Sequence, residues 1–333
     1  MALHDFWFWL IAVLWIGYFF LEGFDFGVGV LTRLLARDEA ERRVLINTIG
    51  PVWDGNEVWL ITAAGATFAA FPDWYALLFS GLYLPLLLIL VCLIVRGVSF
   101  EYRHQRDDER WKRNWELALF WSSLVPALLW GAVFALMLKG LPIDRDGRLD
   151  GGIGALFGPY PLLGGLVGLV LFTFHGSVFA ALKTDGDIRG RARALAGRLG
   201  LALLPLLGGF LLWTQLSVGR DRGWPTAVLA VLGLAGALWL NRLGREGWAF
   251  ALSGVSVATL FATVFLGLFP HVLVSSLDPA WSITAVDAAS GRYALGVMTW
   301  VAVLATPLVL LYQAWTYWVF RRRISTRHLP SGH

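Results

Sequence analysis

Long apolar stretches, separated by short polar connections, run along the whole chain. Nine of them are long enough to cross a membrane, since about 20 helical residues span a hydrocarbon core of about 30 Å. In lipid every backbone amide must find its partner inside the protein, so we expect each stretch to be a helix. The predicted spans cover residues 6–31, 49–71, 75–95, 115–138, 161–182, 199–217, 224–241, 247–269 and 293–320.

The connections between the spans are short and carry Pro, Gly or charged residues, as at Phe71-Pro72-Asp73. They leave no room for a soluble domain. The first stretch is too long for the core of a signal peptide and lacks a basic segment before it, so we expect a true first span. The pattern predicts an all-α integral membrane protein, with residues 1–333 as a single polytopic domain. We expect about nine transmembrane helices, arranged as two four-helix bundles plus one peripheral helix.

The composition agrees with a membrane protein. The chain of 333 residues is 57% hydrophobic and 15% charged, with a mean hydropathy of +0.65, whereas soluble domains carry about 25% charged residues. The eighteen Trp residues fit the preference of indole rings for the headgroup layer. A net charge of +4 would suit an acidic partner such as nucleic acid. Because these charges fall on loops, we do not expect nucleic-acid binding.

The basic residues divide unequally between the two ends of the predicted spans. Of the 27 Lys and Arg residues, 21 fall on the loops after the odd-numbered spans and on the C-terminal tail, and six fall on the other side. Cytoplasmic loops carry the excess of Lys and Arg. The count therefore predicts a cytoplasmic C-terminus, an external N-terminus and an odd number of spans.

Two pairs of carboxylates and one histidine stand out inside the predicted spans. Glu22 and Asp25 are three residues apart on the first span, Asp54 and Glu57 are three apart on the second, and His175 lies in the last turns of the fifth. Residues three apart share a helix face, and the topology places all five near the cytoplasmic side. Ionisable groups within a membrane are costly and often functional. These residues are predicted to form a polar pocket that passes protons from the cytoplasm.

A purely structural interpretation is also open for the first pair. At the membrane interface, Glu22 and Asp25 would pair with Arg33, Arg42 or Arg96. The second pair is expected to lie deeper, between flanking Trp residues, which favours a functional role.

The sequence predicts no cofactor bound directly by this chain. A haem held by two histidines needs both imidazoles at one cavity, and the predicted topology places His175 and His271 on opposite sides of the membrane. The remaining histidines lie in termini or loops: His4, His104, His328 and His333. The single cysteine, Cys92, lies in an apolar run and is expected to serve packing. No zinc or iron–sulfur spacing is present.

Four motifs resemble subunit II of cytochrome bd quinol oxidases. They are Gly-Phe-Asp-Phe-Gly-Val-Gly at 23–29, Pro-Val-Trp-Asp-Gly-Asn-Glu-Val-Trp-Leu at 51–60, Phe-His-Gly at 174–176, and Val-Met-Thr-Trp at 297–300 leading to Tyr-Gln-Ala-Trp at 312–315. The resemblance covers nearly the whole chain, and the motif at 51–60 is long enough to be specific.

The resemblance implies a heterodimer in the bacterial cytoplasmic membrane. Its partner would be a homologously folded subunit I that carries two b-type haems, one d-type haem and the quinol-oxidising loop, with small accessory subunits in some complexes. Such a complex oxidises quinol, reduces dioxygen to water and takes protons from the cytoplasm. By the same resemblance, Asp54 matches a position assigned to a proton path, and Trp59 matches a position near an oxygen route.

Two other functions fit the buried carboxylates. A proton-coupled secondary transporter would use broken helices near the middle of the membrane, and Pro205 and Pro307 could break the sixth and ninth spans. A structural scaffold would need no titratable group at all. A complex purified through this chain separates the first alternative, since an oxidase partner brings haem and a transporter is colourless.

Overall fold

Twelve α-helices and one short β-hairpin make up the computed structural model, which describes residues 2–149, 151–218 and 221–328. The helices are α1 (Leu3–Leu34), α2 (Glu39–Ile49), α3 (Trp53–Ala70), α4 (Pro72–Gly81), α5 (Tyr83–Tyr102), α6 (Glu109–Lys139), α7 (Gly152–Leu156), α8 (Pro159–Lys183), α9 (Gly186–Trp213), α10 (Trp224–Arg242), α11 (Glu246–Leu268) and α12 (Arg292–Val319). A π-helical turn, Thr214–Val218, extends α9, and strands β1 (His271–Leu273) and β2 (Ile283–Thr284) pair antiparallel.

The long helices form two bundles of four. Helices α1, α3, α5 and α6 pack together as the first bundle, and α8, α9, α10 and α11 form the second. The bundles join where α8 packs on α1 and α6. Helix α12 packs only lightly, against α1 and α3, and Leu295 is its one buried residue. The predicted arrangement of two four-helix bundles and one peripheral helix is confirmed.

Eight helices of the described chain are long and apolar enough to cross a membrane. They correspond to eight of the nine predicted spans. The remaining predicted span is α3, which has 18 residues and begins with the polar segment from Asp54 to Glu57. That polar segment lowers the mean hydropathy of α3, although the helix packs within the first bundle like its neighbours.

The structure corrects several predicted boundaries. The sixth span was expected to start at 199, but α9 begins at Gly186. The second span was expected to start at Ile49, but that residue ends α2, and α3 begins at Trp53 after Pro51. The third span was expected to run from 75 to 95. A break at Leu82 instead separates α4 from α5, and α5 continues to Tyr102, beyond Arg96. A charge taken as a span boundary therefore lies inside a helix.

The two prolines that could break helices do not do so. Pro205 lies within continuous α9, and Pro307 lies within continuous α12. Neither predicted break occurs, so the broken-helix geometry expected of a transporter is missing at both positions.

Glycines allow the close approach of α1 and α8 that joins the two bundles. A Cβ atom added to Gly27 would lie 2.1 Å from the backbone oxygen of Phe172 and 2.8 Å from the Cα of Gly176. Backbone atoms cannot move aside as a flexible side chain can. Only glycine therefore fits at this crossing.

We expect Gly27→Ala to lower the stability of the protein by about 1–3 kcal/mol, the usual range for overpacking. The measurement is the thermal transition of the detergent-solubilised protein. Gly208→Ala is the matched control, because its added Cβ would meet nothing within 4 Å and lies on a long helix. An unchanged transition in Gly27→Ala would show that the α1–α8 crossing relaxes easily.

Candidate functional site

Three carboxyl groups and one guanidinium meet inside the first bundle. Arg96 on α5 is fully buried, and its Nη2 donates hydrogen bonds to Glu22 on α1 and to Glu57 Oε1 on α3, the latter at 2.9 Å. The ring of Phe26 covers the guanidinium, with 4.8 Å between Arg96 Cζ and the ring centroid. One cation thereby joins three helices of the bundle.

The third carboxyl group, Asp25, is held by an amide. Asn56 Nδ2 donates to Asp25 Oδ2 at 2.7 Å, and both residues are fully buried. The Asn56 carbonyl accepts from the Tyr317 hydroxyl at 2.8 Å and from Gln313 Nε2 at 3.3 Å. The peripheral helix α12 is thus tied to the site. We call Glu22, Asp25, Asn56, Glu57 and Arg96 the inner cluster.

Several polar atoms of the inner cluster have no hydrogen-bond partner within the described protein. They are Glu22 Oε2, Asp25 Oδ1, Arg96 Nε and Arg96 Nη1. Buried polar groups are nearly always paired, either with protein or with ordered water. The inner cluster therefore has the donors and acceptors to bind several water molecules.

Asp54 lies apart from the inner cluster, on the open face of α3. Its side chain is exposed on the surface of this chain and accepts a hydrogen bond from the Gly55 amide at 2.8 Å. The buried face of α3 carries Asn56, Ala63, Thr67 and Ala70. At 3.6 residues per turn, Asp54 points roughly 200° away from Asn56, whereas Glu57 lies at the edge of the buried face. Glu57 therefore reaches Arg96 and Asp54 does not.

His175 is also separate from the carboxylates. Its Nδ1 lies 2.6 Å from Ser253 Oγ, its Nε2 lies 3.2 Å from the Phe20 carbonyl oxygen, and its ring stacks on Phe250 with centroids 4.7 Å apart. Among the described residues, no hydrogen bond or ion pair connects it to the inner cluster. His175 belongs to the packing between α1, α8 and α11, so the predicted pocket of four carboxylates and an imidazole contains three of the carboxylates.

The sequence analysis named the pairing partner of Glu22 among three candidates, but it placed the ion pair at the membrane interface. The sequence offered Arg33, Arg42 or Arg96 at the membrane interface. The structure selects Arg96 and places the pair in the interior, while Arg42 pairs with Glu39 and Glu116.

Sequence reasoning missed the central roles of Asn56, Gln313 and Tyr317. Asn56 lies within the motif at 51–60 and the other two lie in or beside the motif at 312–315. Their position in or beside these motifs is the sequence feature that could have identified them.

No group of three or more His, Cys, Asp and Glu side chains suited to a metal ion occurs in the part of the chain that the structure describes. Cys92 is a buried free thiol. His271 lies in β1, beyond the end of α11, and His333 lies outside the described residues.

Comparison with known proteins gives a match over almost the entire chain. The family model described as cytochrome bd terminal oxidase subunit II matches residues 3–320. The chain belongs to this family. It is 44% identical over 329 residues to cytochrome bd ubiquinol oxidase subunit 2 of Bacillus subtilis strain 168, covering 97% of both chains. It is 35% identical over 362 residues to cytochrome bd-I ubiquinol oxidase subunit 2 of Escherichia coli K12, covering 97% of this chain and 96% of the relative.

A solved structure shares the fold. A chain of the bd oxidase from Geobacillus thermodenitrificans superposes with a TM-score of 0.77, covering 96% of this chain and 97% of that chain at 21% identity. The long helices and the family together make this protein a multi-pass bacterial membrane protein of the cytochrome bd subunit II family.

In this family member, an open groove of about 950 Å³ lies between α1, α3 and α12. Its walls are mainly apolar, and Asp54, Asn56, Gln313 and Tyr317 contribute polar groups to its lining. Trp59 also lines the groove, where it donates from Nε1 to Gln313 Oε1 at 2.7 Å and packs on Gly17 of α1. The groove therefore adjoins the inner cluster through Asn56.

Proposed function

We propose that this chain is the haem-free second subunit of a cytochrome bd-type terminal oxidase, which oxidises quinol and reduces dioxygen to water. In this proposal the chain supports a haem-bearing subunit I and supplies a proton path from the cytoplasm. Family membership and the names of the relatives support the oxidase role. The engagement of both His175 ring nitrogens by protein groups supports the absence of haem from this chain.

The observation that carries the proton path is the inner cluster. Three carboxyl groups face one guanidinium inside the first bundle. If all three were ionised, the cluster would hold two uncompensated negative charges, which a low-dielectric interior strongly disfavours. A set of carboxyl groups in excess over cations can take up and release protons while keeping its net charge small. Reduction of dioxygen to water consumes such protons.

Asp54 is proposed to pass protons between the inner cluster and the partner. Glu57 lies one turn from Asp54 on α3, and its side chain is 22% exposed while it bonds to Arg96. Asp54 is on the open face of the same helix. The order inner cluster, Glu57, Asp54 therefore leads outward from the bundle.

The partner is proposed to cover the face formed by α3 and α12. An exposed carboxylate within a membrane span is costly against lipid, and such groups normally face protein or water. Asp54 and the open groove beside it lie on this face, and α12 leaves almost all of its surface uncovered. A protein surface, rather than acyl chains, suits that combination of apolar residues and a carboxylate.

The proposal also includes the orientation of the chain in the membrane and a route for dioxygen. The excess of basic residues supports a cytoplasmic C-terminus and an external N-terminus. Trp59 on the wall of the groove supports a place beside an apolar path for dioxygen.

The experiment that tests the oxidase role is a spectrum. A complex purified in mild detergent through a tag on this chain is expected to show b-type haem bands in the dithionite-reduced minus oxidised difference spectrum, with a partner chain of similar or larger size. A further band at longer wavelength would identify d-type haem. A stable, colourless preparation without a partner would overturn the proposal and direct attention to transport assays.

A further inference from the structure

A second charged cluster lies where α2, α5 and α6 meet. Arg103, the C-terminal cap of α5, is 1% exposed and donates to Glu39 on α2 and to Glu116 on α6, the latter at 3.1 Å. Arg42 pairs with the same two carboxylates, at 3.3 Å from Glu39 and 3.1 Å from Glu116. We call Glu39, Arg42, Arg103 and Glu116 the outer cluster.

The outer cluster is in contact with solvent. The Glu39 side chain is 40% exposed and the Glu116 side chain is 13% exposed. Close by in the sequence, partial burial and the neighbouring Arg103 lower the pKa of His104 below its ordinary value. Arginines therefore supply the positive charge here. The carboxylates of the outer cluster reach bulk water, whereas Glu22 and Asp25 are buried away from it.

The inner and outer clusters share α5, which carries the central arginine of each. Arg96 and Arg103 are seven residues apart on α5, which is two helical turns and about 10.5 Å along the axis. Asp25 and Thr32 have the same spacing on α1, and so do Glu116 and Ser123 on α6. Residues at this spacing share a face of the helix. The first bundle therefore carries one polar stripe from the outer cluster to the inner one.

Buried hydroxyl groups occupy the stripe between the clusters. Ser99 on α5, Thr32 on α1 and Ser123 on α6 are all at most 1% exposed. Each donates its proton to a carbonyl of its own helix, at 2.6 Å for Ser99, 2.6 Å for Thr32 and 2.8 Å for Ser123. Each oxygen therefore keeps lone pairs that can accept a hydrogen bond. Arg42 Nε donates to the Thr32 carbonyl at 3.4 Å, which ties the stripe to the outer cluster.

Both ends of the stripe carry buried groups without partners in the described protein. Arg103 Nε and Nη1 lack a hydrogen bond, as do Arg96 Nε and Nη1 and Asp25 Oδ1. Two guanidinium groups have free N–H donors, and hydroxyl acceptors lie between them. Together they can hydrogen-bond a chain of water molecules. Val28, Phe100 and Leu119 are buried apolar residues of the same region.

We propose that Glu39 and Glu116 are the proton entrance of this subunit. Protons pass from cytoplasmic water to these carboxylates and then along water held by Thr32, Ser99 and Ser123 to the inner cluster. Asp54 is then the exit toward the partner and not the point of entry. This inference rests on the proposed proton-delivery function and deepens it.

The test uses the intact complex with its partner. Proton uptake is followed with a pH-sensitive dye after the fully reduced complex is mixed with dioxygen, and haem content reports assembly. The route variants are Glu116→Gln, Thr32→Val and Ser99→Ala. Thr32→Val and Ser99→Ala leave every ion pair in place, so they still test the route if Glu116→Gln fails to fold. The controls are Thr67→Val, a buried threonine with the same type of hydrogen bond on α3, and Glu109→Gln, an exposed carboxylate at the start of α6.

We expect the route variants to slow proton uptake by about tenfold or more, since a positioned proton-transfer group typically contributes at least that much. The two controls should match the wild type. Asp25→Asn is measured alongside them. If Asp25→Asn slows uptake while all three route variants do not, the entrance is overturned and the proposed function of the inner cluster stands. If none of the four variants slows uptake, both proposals are overturned.

Discussion

Replacement of Arg96 by Met is expected to destabilise the first bundle by about 3–5 kcal/mol, the usual effect of removing one partner from a buried ion pair. Met fills a similar volume without charge, so the change leaves Glu22 buried with no cation beside it. Protein domains are stable by only about 5–15 kcal/mol. Most of the variant chain should therefore fail to assemble, which is measured as the yield of complex with its partner and as its thermal transition.

Two further variants make this result specific. Arg106→Met is the control, because this arginine lies in an exposed loop, where its guanidinium is 4.5 Å from the centroid of the Trp111 ring. It should assemble normally. The double variant Arg96→Met/Glu22→Gln removes the uncompensated charge and should recover part of the lost yield. A double variant no more stable than Arg96→Met alone would show that the charge of Glu22 is not the cause.

The fold could be predicted largely because membrane spans follow from simple physics. The stretches from 115 to 138 and from 161 to 182 lie in α6 and α8. A long apolar segment in lipid must be helical, because its backbone amides can be paired only within the protein. The end of α5 was mispredicted because Arg96 was treated as a boundary. A charge can lie inside a span when the protein supplies its counter-ion, and Glu22 is on a different helix. Hydropathy along one segment contains no information about that pairing.

The relative positions of site residues on one helix could be predicted from the sequence, but contacts between helices could not. Spacing correctly placed Glu22 and Asp25 on one face of α1, because that relation is local to one helix. The rotation of α3 is not local, since packing against α1 decides which side of α3 is buried. That packing turned Asn56 inward and Asp54 outward. His175 lies beside Ser253 and Phe250, which no pattern in its own span could reveal.

Asp25→Asn is expected to reduce quinol-dependent oxygen consumption by about 100-fold, within the range that a positioned proton-transfer group contributes. The substitution conserves shape, and the new carbonyl can still accept the hydrogen bond from Asn56 Nδ2. The substitution removes the exchangeable proton and, with it, one of the carboxyl groups in excess over Arg96. Haem content and thermal transition should therefore remain near those of the wild type, while turnover falls.

The role of the inner cluster is decided by whether Asp25→Asn lowers oxygen consumption while haem content and the thermal transition stay unchanged. Asp73→Asn is the matched control, since this exposed carboxylate in the first turn of α4 lies outside the cluster. It should leave both quantities unchanged. If Asp25→Asn assembles with full haem content and consumes oxygen at the wild-type rate, the carboxyl proton of Asp25 is not needed. Together with a strong effect of Arg96→Met on assembly, that outcome would make the inner cluster a structural ion-pair network. A loss of turnover with intact haem would instead tie oxygen chemistry in the partner to a titratable group in this chain.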